Sequence, residues 1–135
     1  MATRSVQLEL DPQVSVAPQS IGGAVNGATV DLQGAEAALI ILDSGAATTP
    51  ATIQIQEAPD NAGSPGAWTA VADTDLIGLT GNAAGVAQTA STIVKVSYIG
   101  VQRFVRVVTS AGTAALFSAE VVRAHLRHST PTPVV

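Results

Sequence analysis

The 135-residue chain contains no cysteine. Neither a disulfide framework nor a thiolate zinc site is open to it, and cysteine usage leaves its redox compartment undetermined. Charge is scarce: Asp, Glu, Lys and Arg make up 12% of the residues, about half the roughly 25% usual in soluble domains. Aromatics amount to 3%, while hydrophobic residues reach 47%. A core must then be built from Val, Ile, Leu and Ala, and the exposed surface must rely on Thr, Ser, Gln, Asn and backbone. Such surfaces are common on proteins packed against others, and they also suit a plain β-sandwich. Long apolar runs are missing too. The longest strongly apolar stretch, Ala37 to Leu42, is far too short to cross a bilayer. Met1 to Glu9 holds no apolar run of signal-peptide length. The expectation is a soluble chain, made in a cytoplasm, with no membrane partner.

Catalytic signals are equally sparse. Gly22-Gly23 is not followed by a GxGxxG or Walker pattern, so nothing supports phosphate binding. No Gly-x-Ser-x-Gly elbow raises a serine nucleophile. Asp73-Thr74-Asp75 looks like part of a calcium loop, but the spaced acids and closing Glu are missing. A turn held by Asx hydrogen bonds is the simpler reading. His125 and His128 lie near a proline-rich end. They point to opposite faces in a strand, and read as solvent-facing tail residues rather than metal ligands. The chain is expected to be no enzyme, with no catalytic residues, cofactor or metal.

What is present is unevenly placed. Residues 1–76 carry nine acids against Arg4, a balance of −8, and residues 77–135 carry five bases against Glu120, a balance of +4. In one domain the two signs can meet within the chain or between copies. The overall −4 argues against nucleic acid as a direct partner.

Periodicity supplies the fold class. Val6, Leu8 and Leu10 alternate with polar residues and read as a first strand, ended by Asp11-Pro12 because proline has no N–H for the ladder. Val14-Ser15-Val16 resumes the extended chain, and Gly22-Gly23 and Asn26-Gly27 mark turns, the second suited to positive φ. Thr29 to Leu32 is a short strand ending near Gly34. Ala38 to Asp43 is apolar on both faces, as for a strand covered on both sides or lying at a subunit contact. A helix over Gly34 to Leu42 competes, but the run between Gly34 and Gly45 is too short for a stable one.

Thr52 to Ala58 is the clearest strand, with Ile53 and Ile55 inward and Gln54 and Gln56 outward. Pro59 to Gly66 forms a hairpin-type loop, and Trp68 to Val71 returns. Ala72 to Thr92 is an exposed loop or a weakly patterned strand pair. Ile93 to Ile99 and Phe104 to Thr109 are strands, with turns at 100–102 and 110–113. Ala115 to Leu126 fits either helix or strand spacing, and the turn before it favours strand. Eight or nine short strands imply an all-β fold, an antiparallel β-sandwich of jelly-roll-like kind. Residues 1–135 make one domain, with extended arms at about 1–5 and 129–135.

Three residues stand out for recognition. Trp68, the single tryptophan, reads first as a core anchor and second as an interface hot spot. Tyr98 and Phe104, either side of the Gly100 turn, are expected to fill the same core. Arg103 and Arg106 are three apart in a strand and so face opposite sides. One would bridge an acidic strand of its own chain and the other would bind a neighbour, and the sequence leaves open which.

The order of these blocks resembles a family of small structural proteins encoded among the head genes of tailed bacteriophages. The likeness takes in Val30-Asp31-Leu32-Gln33-Gly34, Ile53-Gln54-Ile55-Gln56-Glu57 and the Asp60 loop. It continues through Trp68-Thr69-Ala70-Val71 and Asp75-Leu76 to Tyr98-Ile99-Gly100 and Arg103-Phe104-Val105-Arg106-Val107. This chain departs where the usual Asp-Gly-Ser-Thr-Trp hairpin becomes the longer Asp60 to Trp68 loop. The resemblance implies a head structural role, and among such roles a capsid decoration (cement) protein on the outer surface of an HK97-like virion is favoured. Its partners would be the major capsid protein and sister copies in a homotrimer. A head–tail joining or tail protein, and a host-glycan-binding sandwich, are the alternatives.

Overall fold

A computed structural model describes residues 10–126, the side chains of the last two excepted. The strands are β1 (Leu10–Ile21), β2 (Val25–Asn26), β3 (Val30–Asp31), β4 (Ala35–Ser44) and β5 (Thr49–Ala58). Four short ones follow: β6 (Asp60–Asn61), β7 (Ser64–Pro65), β8 (Thr69–Ala70) and β9 (Leu76–Ile77). The last are β10 (Val86–Ala87), β11 (Thr92–Tyr98), β12 (Phe104–Thr113) and β13 (Ala115–Leu126). One sheet runs β1-β13-β4-β11-β9 and the second β10-β5-β12-β2, with β3 on β12 and β8 on β5. Pairing throughout is antiparallel.

The two sheets face each other across one apolar core, the expected all-β sandwich. β4 contributes Ala38, Ile40 and Leu42, and β13 contributes Phe117, Ala119 and Val121. Opposite them lie Ile53 and Ile55 of β5 with Val105 and Val107 of β12. Each fully buried Val, Leu or Ile side chain contributes about 1.5–3 kcal/mol. Small and β-branched residues thus supply what aromatics do not, and the period of two directs them.

Several boundaries differ from expectation, each for a physical reason. β1 does not end at Asp11-Pro12 but runs on through Pro12 and Pro18. It is an edge strand that pairs only with β13, so a missing N–H can face away from the ladder. Leu10 accordingly lies on the outer face, not in the core, while Val6 and Leu8 fall outside the described residues. Ala35–Ser44 is strand, so the competing helix does not form. β12 continues through the expected 110–113 turn with register shifts, and the chain crosses between sheets at Ala114 instead of making a hairpin. The 72–92 segment is neither a plain loop nor a strand pair. Two 3-10 turns alternate with β9 and β10, which belong to different sheets.

Asn26-Gly27 is not a positive-φ turn. Asn26 pairs with Val108, and the Gly27 N–H donates to the Val107 carbonyl at 2.9 Å. A Cβ at Gly27 would lie 2.2 Å from that oxygen and 2.6 Å from Ser15 Oγ. The glycine is there for close approach of two backbones. Gly27→Ala must force β2 off β12, with an expected loss of ~1–3 kcal/mol, read as a lower urea midpoint at unchanged m-value.

Candidate functional site

The two arginines that the sequence singles out are held quite differently. Arg103 sits just before β12. Its guanidinium forms a fork on Asp31, with Nε donating to Oδ1 at 3.0 Å and Nη2 to Oδ2 at 2.9 Å. Nη1 lies 3.2 Å from Asp60 Oδ2, and the group stands over the Phe104 ring. The hydrogen-bonded Arg103 holds the Asp31 carboxyl below the usual carboxylate range, helped by the Gln33 N–H. Arg103 is raised in turn by Asp31. Arg123 repeats the arrangement, bonding the Asp11 carboxylate and donating to the Asp31 carbonyl at 3.1 Å.

These ion pairs answer where the two charge balances meet. Each joins an acid of residues 1–76 to a base of residues 77–135 inside one chain. Arg103 is thus the arginine that bridges its own chain, and it is occupied.

The pairs have a pH consequence. The folded pKa values of Asp11 and Asp31 are lowered, chiefly by their arginines, so the stability they contribute is present above the unfolded value of about 3.9. It is lost as pH falls through the lowered folded values. Asp31→Asn should flatten the fall in thermal midpoint below about pH 4 relative to the parent. Parallel curves for variant and parent would discount the ion pair.

Arg106 has a different environment. It projects from the outer side of β12, where its guanidinium lies 4.3 Å from the Trp68 ring centroid. Nε and Nη2 both donate to Gln56 Oε1, at 2.9 and 2.8 Å. Gln56 is the register partner of Arg106 across β5–β12. Its own amide donates to Gln54 Oε1 at 2.8 Å, and Gln54 donates to the Ala83 carbonyl. Among the described residues no carboxylate pairs with Arg106, and burial pulls its pKa below the ordinary arginine value. It is a fixed cation with no counter-ion among the described residues.

Trp68 is correspondingly not the core anchor. It is half-buried and outside the core cluster, stacked by Arg106 on the outer side of the second sheet. Of the two aromatics expected in the core, Tyr98 is there. Phe104 is buried but lies outside that cluster, under Arg103.

A cleft of about 710 Å³ opens between residues 32–38 and 98–103, with Ile99 and Val101 exposed at 54% and 94%. The Tyr98 hydroxyl donates to Glu57 Oε2 at 2.5 Å and accepts the Gln102 N–H. Burial and Glu57 push its pKa far up, so the phenol stays protonated and fixes the 98–102 turn rather than serving as a base. Asp73 spends its carboxylate on the N–H groups of Gly81 and Asn82, at 2.7 and 3.0 Å. Those bonds lower its pKa and tie the loop together. Among the described residues no three His, Asp or Glu side chains converge on a metal position. The His125 side chain and all of His128 lie outside the description.

Trp68 and Arg106 are therefore brought together, while Arg103 is placed elsewhere. Sequence reading missed Gln54 and Gln56 as the support for Arg106. Their outward alternation was visible, but the pairing of Gln56 with Arg106 depends on strand register. No protein-family model, curated protein or solved structure matches the chain.

Proposed function

We propose that the chain is a non-enzymatic virion structural protein that decorates the outer surface of an HK97-like phage capsid, and that Trp68 and Arg106 form its attachment point. The order of sequence blocks shared with the phage head family supports the first part. The uncompensated Arg106 cation, stacked on Trp68 and pinned by Gln56, is the observation that carries the second. A guanidinium already ordered in this way loses little side-chain entropy on binding. A carboxylate of the major capsid protein would supply its missing counter-ion, and the indole would supply apolar contact area. Tryptophan and arginine are the residue types most enriched at interface hot spots. Many weak, repeated contacts on a lattice then add up by avidity, holding adjacent capsomers together.

The test is binding of purified protein to undecorated, expanded capsids at low and high salt. Arg106→Ala and Trp68→Ala should each weaken occupancy by about tenfold or more, with the arginine effect shrinking at high salt. Arg103→Ala should act on stability instead. If both variants saturate capsids as the parent does, the attachment point is wrong. A copy count in purified virions separates decoration from a ring-forming head–tail joining protein.

A further inference from the structure

The second face of β4 leads to a separate surface. Leu39 and Ile41 point away from the core, toward the outer side of the five-stranded sheet, and remain only partly covered. Val122 of β13 lies opposite Leu39, and farther out on either side stand Val14 (53% exposed), Ile93 (66%) and Ile77 (59%). Its four long strands, of 12, 12, 10 and 7 residues, at ~4.8 Å spacing and ~3.4 Å per residue give this face on the order of 500–800 Å². That is close to the ~800 Å² each partner contributes to a standard stable interface. Isolated exposed hydrophobics are ordinary, but apolar side chains recurring on every strand of one face, between Ser97, Ser118 and the charged Lys95, Glu120 and Asp43, mark a contact surface.

The charges on the face say what fits it. Lys95 of β11 and Glu120 of β13 both stand opposite Ile41, one on each side of β4. They are about 10 Å apart across two strand spacings, and neither enters an ion pair among the described residues. A two-fold axis lying in the contact plane along β4 exchanges the β11 and β13 sides. Lys95 of each copy then meets Glu120 of the other, forming two ion pairs around an apolar centre at Ile41. An axis across the strands would instead stack like charge on like. Asp43, the third charge of the face among the described residues, lies two residues along β4 from Ile41. The ~30° angle between aligned packed sheets moves each copy of it only ~2 Å off the axis, so the two carboxylates remain neighbours and offset part of the gain from the two ion pairs.

We propose that this face pairs with a second copy of the chain about such a two-fold axis, back to back through the five-stranded sheets. The second sheets, with Trp68 and Arg106, then point outward from both sides of the pair. This pairing replaces the homotrimer that the resemblance implies, and it does not rest on the capsid reading, because its readout is the mass of the isolated protein.

The experiment is sedimentation equilibrium of the purified chain from micromolar to millimolar concentration, for the parent and three charge variants. The parent should be a dimer. Lys95→Glu and Glu120→Lys should each raise the dissociation constant by about tenfold or more, since each places like charges against one another. The double variant K95E/E120K should restore the parent value. Lys95 is exposed and Glu120 half-buried on the outer face, and circular dichroism checks that each variant keeps its sheet. As the chain has no cysteine, Ile41→Cys introduces a single thiol on the axis, and a short bismaleimide should link two copies through it. A parent that stays monomeric overturns the proposal. So does a three-copy mass, or single swaps that pair as well as the parent, or a double swap that fails to restore pairing while folded.

Discussion

Replacing Ile55 by aspartate is expected to abolish cooperative folding at neutral pH. Ile55 is fully buried in the middle of β5, paired with Val107 of β12 and inside the shared core. The substitution forfeits ~2–3 kcal/mol of apolar burial. It also places a carboxyl among hydrocarbons, where it must either ionise without a partner or stay protonated at a cost of several kcal/mol. Together these rival the ~5–15 kcal/mol total stability of a typical domain. The folded-state pKa of the introduced carboxyl is raised by burial, so its penalty is complete above that value. It is relieved progressively as pH falls from that raised value to the unfolded value near 3.9, below which no further relief follows. The deficit against the parent should therefore narrow on acidification, the opposite sign to the Asp31 effect. Circular dichroism with a denaturant series reads both. A cooperative transition near the parent midpoint at pH 7 would show that β5 does not run through the core.

The second large effect is expected at Asn82, a polar side chain with no exposure at all. Its Oδ1 accepts the Ile55 N–H at 2.7 Å, and its Nδ2 donates to the carbonyls of Ile55 and Val71, each at 2.8 Å. The amide thus extends the β5–β8 pairing, in which the Val71 N–H already donates to the Ile55 carbonyl at 3.0 Å, by satisfying the Ile55 N–H and the Val71 carbonyl. Asn82→Leu keeps the volume roughly constant but strands buried backbone groups, each costing about 1–3 kcal/mol. The expected total is ~3–5 kcal/mol, a fall in thermal midpoint of roughly 10 °C or more. Asp73→Ala, which removes one exposed and one part-buried hydrogen bond of the same loop, should cost much less. Equal losses for the two would mean that the loop, rather than the buried amide, carries the stability.

Sequence reading and structure part company at particular places. Ile53, Ile55, Val96 and Tyr98 were legible as core because a strand's period of two carries burial in the sequence itself. β13 was ambiguous because Ala, Val and Leu recur at both helical and strand spacings, and its place between β1 and β4 removes the ambiguity. Pro12 misled because proline forbids a central strand but not an edge. Asn82 gave no signal, since a lone amide in a Gly/Ala loop looks solvated until the loop folds back on β5.

The candidate contacts divide in the same way. Composition determined an aliphatic core with few charges, while strand periodicity determined the β-sandwich and singled out Trp68, Arg103 and Arg106 as the residues to watch. It also marked Ala38 to Asp43 as apolar on both sides. Only the tertiary structure decided that Arg103 is spent on Asp31 and Asp60 while Arg106 keeps an unpaired charge on Trp68. It alone left the outer side of β4 uncovered. Alternation is a local property of one strand. Partnership depends on register and on which strands become neighbours, and those are fixed by contacts between residues far apart in the chain.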